Sequence, residues 1–126
     1  MAKLVKKSPS QEPDFLPHTL RAATLAAEHK AVDLKAYDVR GLTVIADSFV
    51  MCSATSEPHL KAIYSAVREG MREAGVRLLH TEGGLSGNWL VLDYGSVVFH
   101  IFRREARGFY DLDALWADAP EVDVSQ

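Results

Sequence analysis

Two apolar runs flank Gly95-Ser96 in the segment Trp89-Leu-Val-Leu-Asp-Tyr-Gly-Ser-Val-Val-Phe-His-Ile-Phe102. This pattern predicts a β-hairpin with a two-residue turn, because glycine at the first central position supplies the positive φ that such a turn needs. The turn fixes the register of the two strands, so Trp89 lies opposite Phe102. A three-residue turn would shift this register. The other predicted cross-strand pairs are Tyr94 with Val97, Asp93 with Val98, and Val91 with His100.

Alternation along the two strands separates two faces of the hairpin that differ in composition. One face is wholly apolar and is predicted to lie on the core: Leu90, Leu92, Tyr94, Val97, Phe99 and Ile101. The other, here called the mixed face, carries Trp89, Val91, Asp93, Val98, His100 and Phe102. Solvent-facing strands seldom carry Trp and Phe, and core-facing strands seldom carry Asp and His. Two interpretations stay open: a partner protein covers the mixed face, or a helix of the same chain covers it while Asp93 and His100 pair.

The chain on both sides of the hairpin supplies further helices and strands. Hydrophobic periodicity and helix-terminal residues define them, with Ser56-Glu57-Pro58 as a helix start and Gly75 just beyond its end. Helices are predicted over residues 18–30, 56–74 and within 103–116, and strands over 32–36, 49–52 and 76–81. The order α-β-β-α-β-β-β-α predicts an α+β (mixed α/β) domain, with a single mixed sheet of about five strands flanked by helices.

Length and composition agree with one globular domain. The 126 residues are 48% hydrophobic and 25% charged, as in ordinary soluble chains. A net charge of −3 argues against a general DNA or RNA binder. Residues 1–17 are predicted to be a flexible N-terminal arm and residues 117–126 a flexible acidic C-terminal tail. The folded domain is therefore expected over residues 18–116, with residues 1–14 and 120–126 dispensable for folding.

The single cysteine and the lack of a long apolar run predict the cellular location. Cys52 follows Val50 and Met51 in an apolar run, which favours a buried thiol over a reactive nucleophile and suggests a reducing compartment. No apolar run approaches the roughly 18 residues of a membrane span, so no membrane partner is expected. Together these features predict a cytoplasmic protein.

Residues that could carry catalysis are few. The chain has no Gly-rich phosphate loop, no zinc-binding cysteine pair and no Gly-x-Ser-x-Gly motif, so no catalytic residue, cofactor or metal is predicted. His80 and Glu82 could join His100 around a metal, but chance explains such a pair better. Asp111 and Asp113, with Gly95-Ser96, partly match a nucleotidyltransferase magnesium site, which is kept as the alternative function. A helix cap at Asp111 is the favoured interpretation.

Five motifs follow one another between residues 20 and 116. They are Asp38-Val-Arg-Gly-Leu-Thr, Ala46-Asp47, Ser56-x-x-His59, Trp89-x-x-x-Asp93-Tyr94-Gly95-x-Val97-Val98-x-His100-x-Phe102, and Glu105-Ala106-Arg107-x-Phe109-Tyr110-x-Leu112-x-x-Leu115-Trp116. In this order they closely resemble the ribosomal silencing factor family, also called RsfS or Iojap-like. One position departs from the family pattern, because Ser48 stands where the family usually has an aromatic residue.

The resemblance implies a non-enzymatic factor with a nucleotidyltransferase-like topology that lacks the catalytic signature. It also implies binding to the large ribosomal subunit through the ribosomal protein L-fourteen. Such binding would block joining of the small subunit and repress translation under nutrient limitation.

The resemblance also suggests which residues meet the partner. The family's interaction surface maps onto Trp89, Asp93, Tyr94, His100, Arg107 and Tyr110. Exposed apolar residues on such a surface also predict a homodimer when the protein is free. The basic flank of the second helix (Lys61, Arg68 and Arg72) is most simply a solvated face, with a minor rRNA contact as the alternative.

Overall fold

The computed structural model describes residues 15–110 and 112–124. For residues 108–110, 112 and 113 it describes the backbone only. The helices are α1 (Leu16–Glu28), α2 (Glu57–Glu73), α3 (Arg104–Tyr110) and α4 (Leu112–Leu115). The strands are β1 (Val32–Asp38), β2 (Ser48–Ala54), β3 (His80–Glu82), β4 (Trp89–Asp93), β5 (Val97–Arg103) and β6 (Glu121–Val122). The described strands form one sheet in the order β3-β4-β5-β2-β1-β6. Strands β2 and β5 pair in parallel and the other neighbours pair antiparallel.

The predicted α+β class with one mixed sheet is confirmed, but the number of strands is not. Among the described residues the sheet has six strands rather than about five. The strand predicted over residues 76–81 is shorter and begins later, at His80, and forms an exposed sheet edge.

The hairpin of β4 and β5 has the predicted register. Trp89 pairs with Phe102, and Asp93 pairs with Val98. The backbone N–H of Tyr94 donates to the carbonyl of Val97 at 2.9 Å, which closes a two-residue turn. Gly95 has a φ of +88°, and the backbone N–H of Ser96 donates to the Tyr94 carbonyl at 3.2 Å, so the chain reverses at the glycine as predicted.

The wholly apolar face of the hairpin lies in the main core, under α1 and α2. Helix α2 starts as predicted, because the Ser56 side chain accepts a hydrogen bond from the backbone N–H of His59 at 3.1 Å. It buries one apolar side against the sheet: Leu60, Ile63, Val67 and Met71. Helix α1 adds small alanine side chains, which allow close approach to the sheet.

Part of the segment predicted as a flexible tail over residues 117–126 is packed, namely residues 119–122. Ala119 is buried, and β6 pairs with β1 at the sheet edge. The carbonyl of Pro120 also accepts a hydrogen bond from the backbone N–H of Asp38 at 2.8 Å. A strand of two residues is too short to show a period in the sequence. The folded region also begins earlier than residue 18, because Phe15 is buried and α1 starts at Leu16. Residues 1–14 lie outside the described part.

A chain ending at Asp118 is therefore expected to be less stable than the full chain. The truncation removes the buried Ala119 and strand β6, which should cost about 1 kcal/mol or more and lower Tm by about 4 to 8 °C. Thermal unfolding followed by circular dichroism measures this shift. A chain ending at Val124 is the matched control and should melt with the full chain. An unchanged Tm for the shorter chain would show that the packed tail adds no stability.

Candidate partner-binding surface

The mixed face of the hairpin is partly covered by the chain itself. Helix α3, together with Trp116 and Ala119, lies over the β2 and β5 side of this face. Trp116 meets Phe49 edge to face, with ring centroids 5.0 Å apart. Val98, His100 and Phe102 are consequently buried, whereas Trp89, Val91 and Asp93 on β4 stay half-buried. The chain itself therefore covers the β5 part of the mixed face, while the β4 part stays partly accessible.

Trp89 is the aromatic residue at the open side of the mixed face. Its ring stacks on Phe102, with the centroids 5.3 Å apart and the planes 22° from parallel. Its indole Nε1–H donates to Nδ1 of His100 at 3.1 Å. These contacts hold the indole in one orientation while part of its surface stays accessible to a partner.

His100 lies beneath Trp89 and is only 7% exposed. Burial lowers the pKa of His100 to about 4, with the charge of Asp93 acting in the opposite direction. The imidazole is therefore neutral near pH 7, and its proton resides on Nε2 because Nδ1 accepts from Trp89. Among the described residues, this Nε2 has no hydrogen-bond partner. His100 thus orients Trp89 and offers little surface of its own.

Asp93 lies near the hairpin turn and is half-buried. Its Oδ1 accepts a hydrogen bond from the backbone N–H of Gly95 at 2.8 Å, which stabilises the turn. The predicted alternative of an Asp93–His100 pair is wrong, because Nδ1 of His100 accepts from Trp89 and Nε2 has no hydrogen-bond partner among the described residues. The outer carboxylate surface of Asp93 remains on the accessible side of the mixed face.

The mixed face continues onto the edge strand β3. His80 lies opposite Asp93 and Glu82 opposite Val91, and paired residues of antiparallel strands share a face. The side chains of His80 and Glu82 contact each other and are exposed. Beside them is an open groove of about 450 Å³, whose lining residues are Glu82, Gly83, Gly84, Gly87, Asn88, Trp89 and Val91.

The remaining predicted site residues lie elsewhere. Tyr94 belongs to the apolar face under α2 and is 7% exposed, and burial raises the pKa of its hydroxyl to about 12. Arg107 is 8% exposed, and its guanidinium donates to the Asp33 carbonyl at 2.6 Å and to Ser53 Oγ at 3.1 Å. Both side chains therefore stabilise the fold and leave little surface to a partner. The side chain of Tyr110 lies outside the described residues.

Two motif residues have structural roles that sequence reasoning missed. The imidazole of His59 accepts from the Thr55 backbone N–H at Nδ1 and meets the His29 carbonyl at Nε2, at 2.9 and 2.8 Å. It therefore ties the start of α2 to the end of α1. Ser48, the departure from the family pattern, is buried and bonds Thr19 Oγ1 at 2.6 Å. A hydroxyl on α1 thus compensates for a polar residue in the core.

The structure also bears on the alternative chemistries. Cys52 is fully buried as predicted, and burial raises the pKa of its thiol to about 12, with Arg107 acting in the opposite direction. Within residues 15–110 and 112–124, no three His, Cys, Asp or Glu side chains are placed to hold a metal. Asp111 and the side chain of Asp113 lie outside the described part. None of the described helices has the length and apolar character to cross a membrane.

Comparison with known proteins identifies the family. Residues 12–126 match the model of the family described as ribosomal silencing factor during starvation, RsfS. The chain belongs to the RsfS family. It is 33% identical to ribosomal silencing factor RsfS of Bacillus subtilis, over 82% of this chain and 87% of that protein. It is also 30% identical to the chloroplastic protein Iojap of Arabidopsis thaliana, over 94% of this chain and 51% of that protein.

Solved structures agree with this assignment. A protein of Chromobacterium violaceum superposes with a TM-score of 0.79 at 28% identity, covering 83% of this chain and 88% of that chain. A protein of Bacillus halodurans gives 0.75 at 28% identity, covering 86% and 98%. The resemblance read from the five motifs is thereby confirmed, and with it a role in ribosome silencing, which is regulatory.

Proposed function

We propose that the chain represses translation by binding the large ribosomal subunit through the open part of the mixed face. The partner is the ribosomal protein L-fourteen, and occupancy of that site blocks joining of the small subunit under nutrient limitation. The observation that carries the proposal is Trp89, which is oriented by His100 and Phe102 and is half-buried at the edge of a groove, with part of its surface accessible. The assignment to L-fourteen rests on family membership.

The geometry around Trp89 suits a protein partner. Interface energy concentrates in a few oriented aromatic side chains, and an indole already held in place loses little entropy on binding. The groove lined by Gly83, Gly84 and Gly87 leaves room for a partner side chain next to the indole. Acidic Glu82 lines it and Asp93 lies farther along the same face, which favours a basic protein over the phosphates of RNA.

Replacement of Trp89 by alanine is expected to weaken binding to large subunits roughly thirtyfold, corresponding to about 2 kcal/mol for an aromatic interface anchor. Co-sedimentation with purified large subunits over a concentration series measures this loss, and a subunit-joining assay in sucrose gradients measures its consequence. Leu20→Ala is the matched control, because Leu20 is exposed on α1, in the layer on the other side of the sheet. It should bind like the wild type.

Thermal unfolding of each variant separates binding from folding. A Trp89→Ala protein that stays folded and still binds at wild-type affinity would show that the mixed face is not the site. A wild-type protein that neither co-sediments with large subunits nor slows subunit joining would contradict the function itself. Loss of binding only with subunits that lack L-fourteen would confirm the partner.

Three further expectations belong to the same proposal. The protein acts where ribosomes are, in the cytoplasm. A homodimer of the free protein would use the same exposed indole, so Trp89→Ala should also weaken self-association. Contact with rRNA is at most minor, because Arg72 pairs with Glu69 and Arg68 donates to the Tyr64 hydroxyl at 3.0 Å.

A further inference from the structure

The loop between β1 and β2, residues 41–46, exposes an unusual amount of apolar surface. Val44 is completely exposed, Ile45 is 69% exposed and Leu42 is 53% exposed. Among the described residues, six large hydrophobic side chains are exposed, and these three lie within four consecutive positions. Single exposed hydrophobic residues are ordinary, but a contiguous group indicates an interaction site.

This loop is fixed at its first end by an ion pair. The Arg40 guanidinium donates to both carboxylate oxygens of Asp38, at 2.9 and 2.7 Å, and lies over the ring of Phe15, 4.9 Å from its centroid. The backbone N–H groups of Leu42 and Thr43 both donate to the Val39 carbonyl. The apolar side chains therefore project from a backbone with a defined conformation.

The second end joins the loop to the hairpin. The backbone N–H groups of Asp47 and Ser48 both donate to the carbonyl of Ser96, at 2.8 and 3.0 Å. Ala46 packs in the same cluster as Val98 and Val91 of the mixed face. Loop 41–46 thus extends the mixed face past the turn, on the side opposite the Trp89 groove.

The chemistry of the loop selects the kind of partner. Residues 41–46 contain no charged side chain, and the charge of Arg40 is balanced by Asp38. An uncharged apolar loop has no cationic side chain to bind the phosphate backbone of RNA. It does complement an apolar patch on a protein. A stable protein interface also buries about 800 Å² on each partner, which is more than one indole and its groove supply.

We propose that loop 41–46 is a second contact with the same large-subunit protein that Trp89 meets, and that it packs on an uncharged apolar patch of that protein. This inference rests on the proposed function. The interface would then have two separate contacts, with Trp89 at one end of the hairpin and Val44 and Ile45 beyond the other end.

The double variant Val44→Ser/Ile45→Ser tests this inference. Because both side chains are exposed, its Tm should match that of the wild type, while its affinity for large subunits should fall about tenfold. The loss should stay the same between low and moderate salt, since an apolar contact is not screened. Leu20→Ser is the matched control for an exposed apolar residue elsewhere, and should bind like the wild type.

The outcomes separate the inference from the function on which it rests. If the double variant binds like the wild type while Trp89→Ala does not, the loop is not a contact and the proposed function stands. If wild-type protein fails to bind large subunits, the proposed function is wrong. If the double variant loses self-association in analytical ultracentrifugation but keeps subunit binding, the loop joins two copies of the chain, and the inference is overturned.

Discussion

Acidification from pH 6.5 to pH 4 is expected to lower the free energy of unfolding by about 3 kcal/mol through His100 alone. Burial lowers the pKa of His100 from 6.5 to about 4 in the folded state, and Asp93 opposes that shift only partly. Between these pH values the unfolded chain binds a proton that the folded chain does not. Stability therefore falls as pH falls through this window, and the contribution of His100 is constant above it and below it.

His100→Asn is the informative comparison, because an amide oxygen can accept from the Trp89 indole without titrating. The free energy of unfolding of both proteins is measured by urea unfolding at several pH values. The carboxylates are the same in both, so their contribution cancels in the difference between the two proteins. The variant should be less stable near pH 7 and should show a weaker dependence on pH between 6.5 and 4. A His100 ring that titrates near 6.5 in NMR spectra of the folded protein would contradict the prediction.

The neutral state of His100 also matters for the partner surface. Only the unprotonated Nδ1 can accept the Trp89 Nε1–H, so the orientation of the indole depends on a neutral imidazole. Because the pKa lies near 4, this orientation is stable at physiological pH. The burial of His100 therefore has two effects. It makes the stability of the domain sensitive to acid, and it keeps the Trp89 indole in one orientation at physiological pH.

The hairpin could be predicted in detail because its signals are local. A glycine in a two-residue turn and strict alternation fix both the register and the two faces. The exposure of each motif residue could not be predicted in the same way. Resemblance placed Tyr94, His100 and Arg107 on the partner surface, yet their burial depends on which distant segments pack over them. Family motifs therefore indicate which residues are important, but they do not distinguish a residue that contacts the partner from one that stabilises the fold.

Arg107 shows why such packing escapes sequence reasoning. One of its two acceptors is the carbonyl of Asp33, which lies at the irregular start of β1, where Asp33 adopts a φ of +51°. The pairing register of β1 shifts between Val32 and Lys35, and this carbonyl lies within the irregular segment. Neither the register shift nor the distant arginine leaves a periodic signal in the sequence. The same holds for β6, whose two residues pair with β1 only once the C-terminal segment has crossed the mixed face.

Gly83→Ala is expected to reduce both stability and large-subunit binding, because Gly83 lies directly behind the backbone of Trp89. Its φ is +87°, and a Cβ at this position would lie 2.2 Å from the Trp89 carbonyl oxygen. The left-handed backbone alone disfavours alanine by about 1 to 2 kcal/mol, and the contact with a backbone oxygen adds to this. We expect a loss of about 2 to 3 kcal/mol and a fall in Tm on the order of 10 °C.

The neighbouring Gly84 provides a matched control, since a Cβ there would meet no atom within 4 Å. Gly84→Ala should leave Tm close to the wild type, and its subunit binding measures the effect of an added methyl group in the groove without a displaced Trp89 backbone. At a temperature where Gly83→Ala is still fully folded, its affinity should fall beyond the control's, because relief of the clash moves the Trp89 backbone out of register with His100. Normal binding by a folded but destabilised Gly83→Ala protein would contradict this prediction. It would show that partner binding does not depend on the backbone position of Trp89.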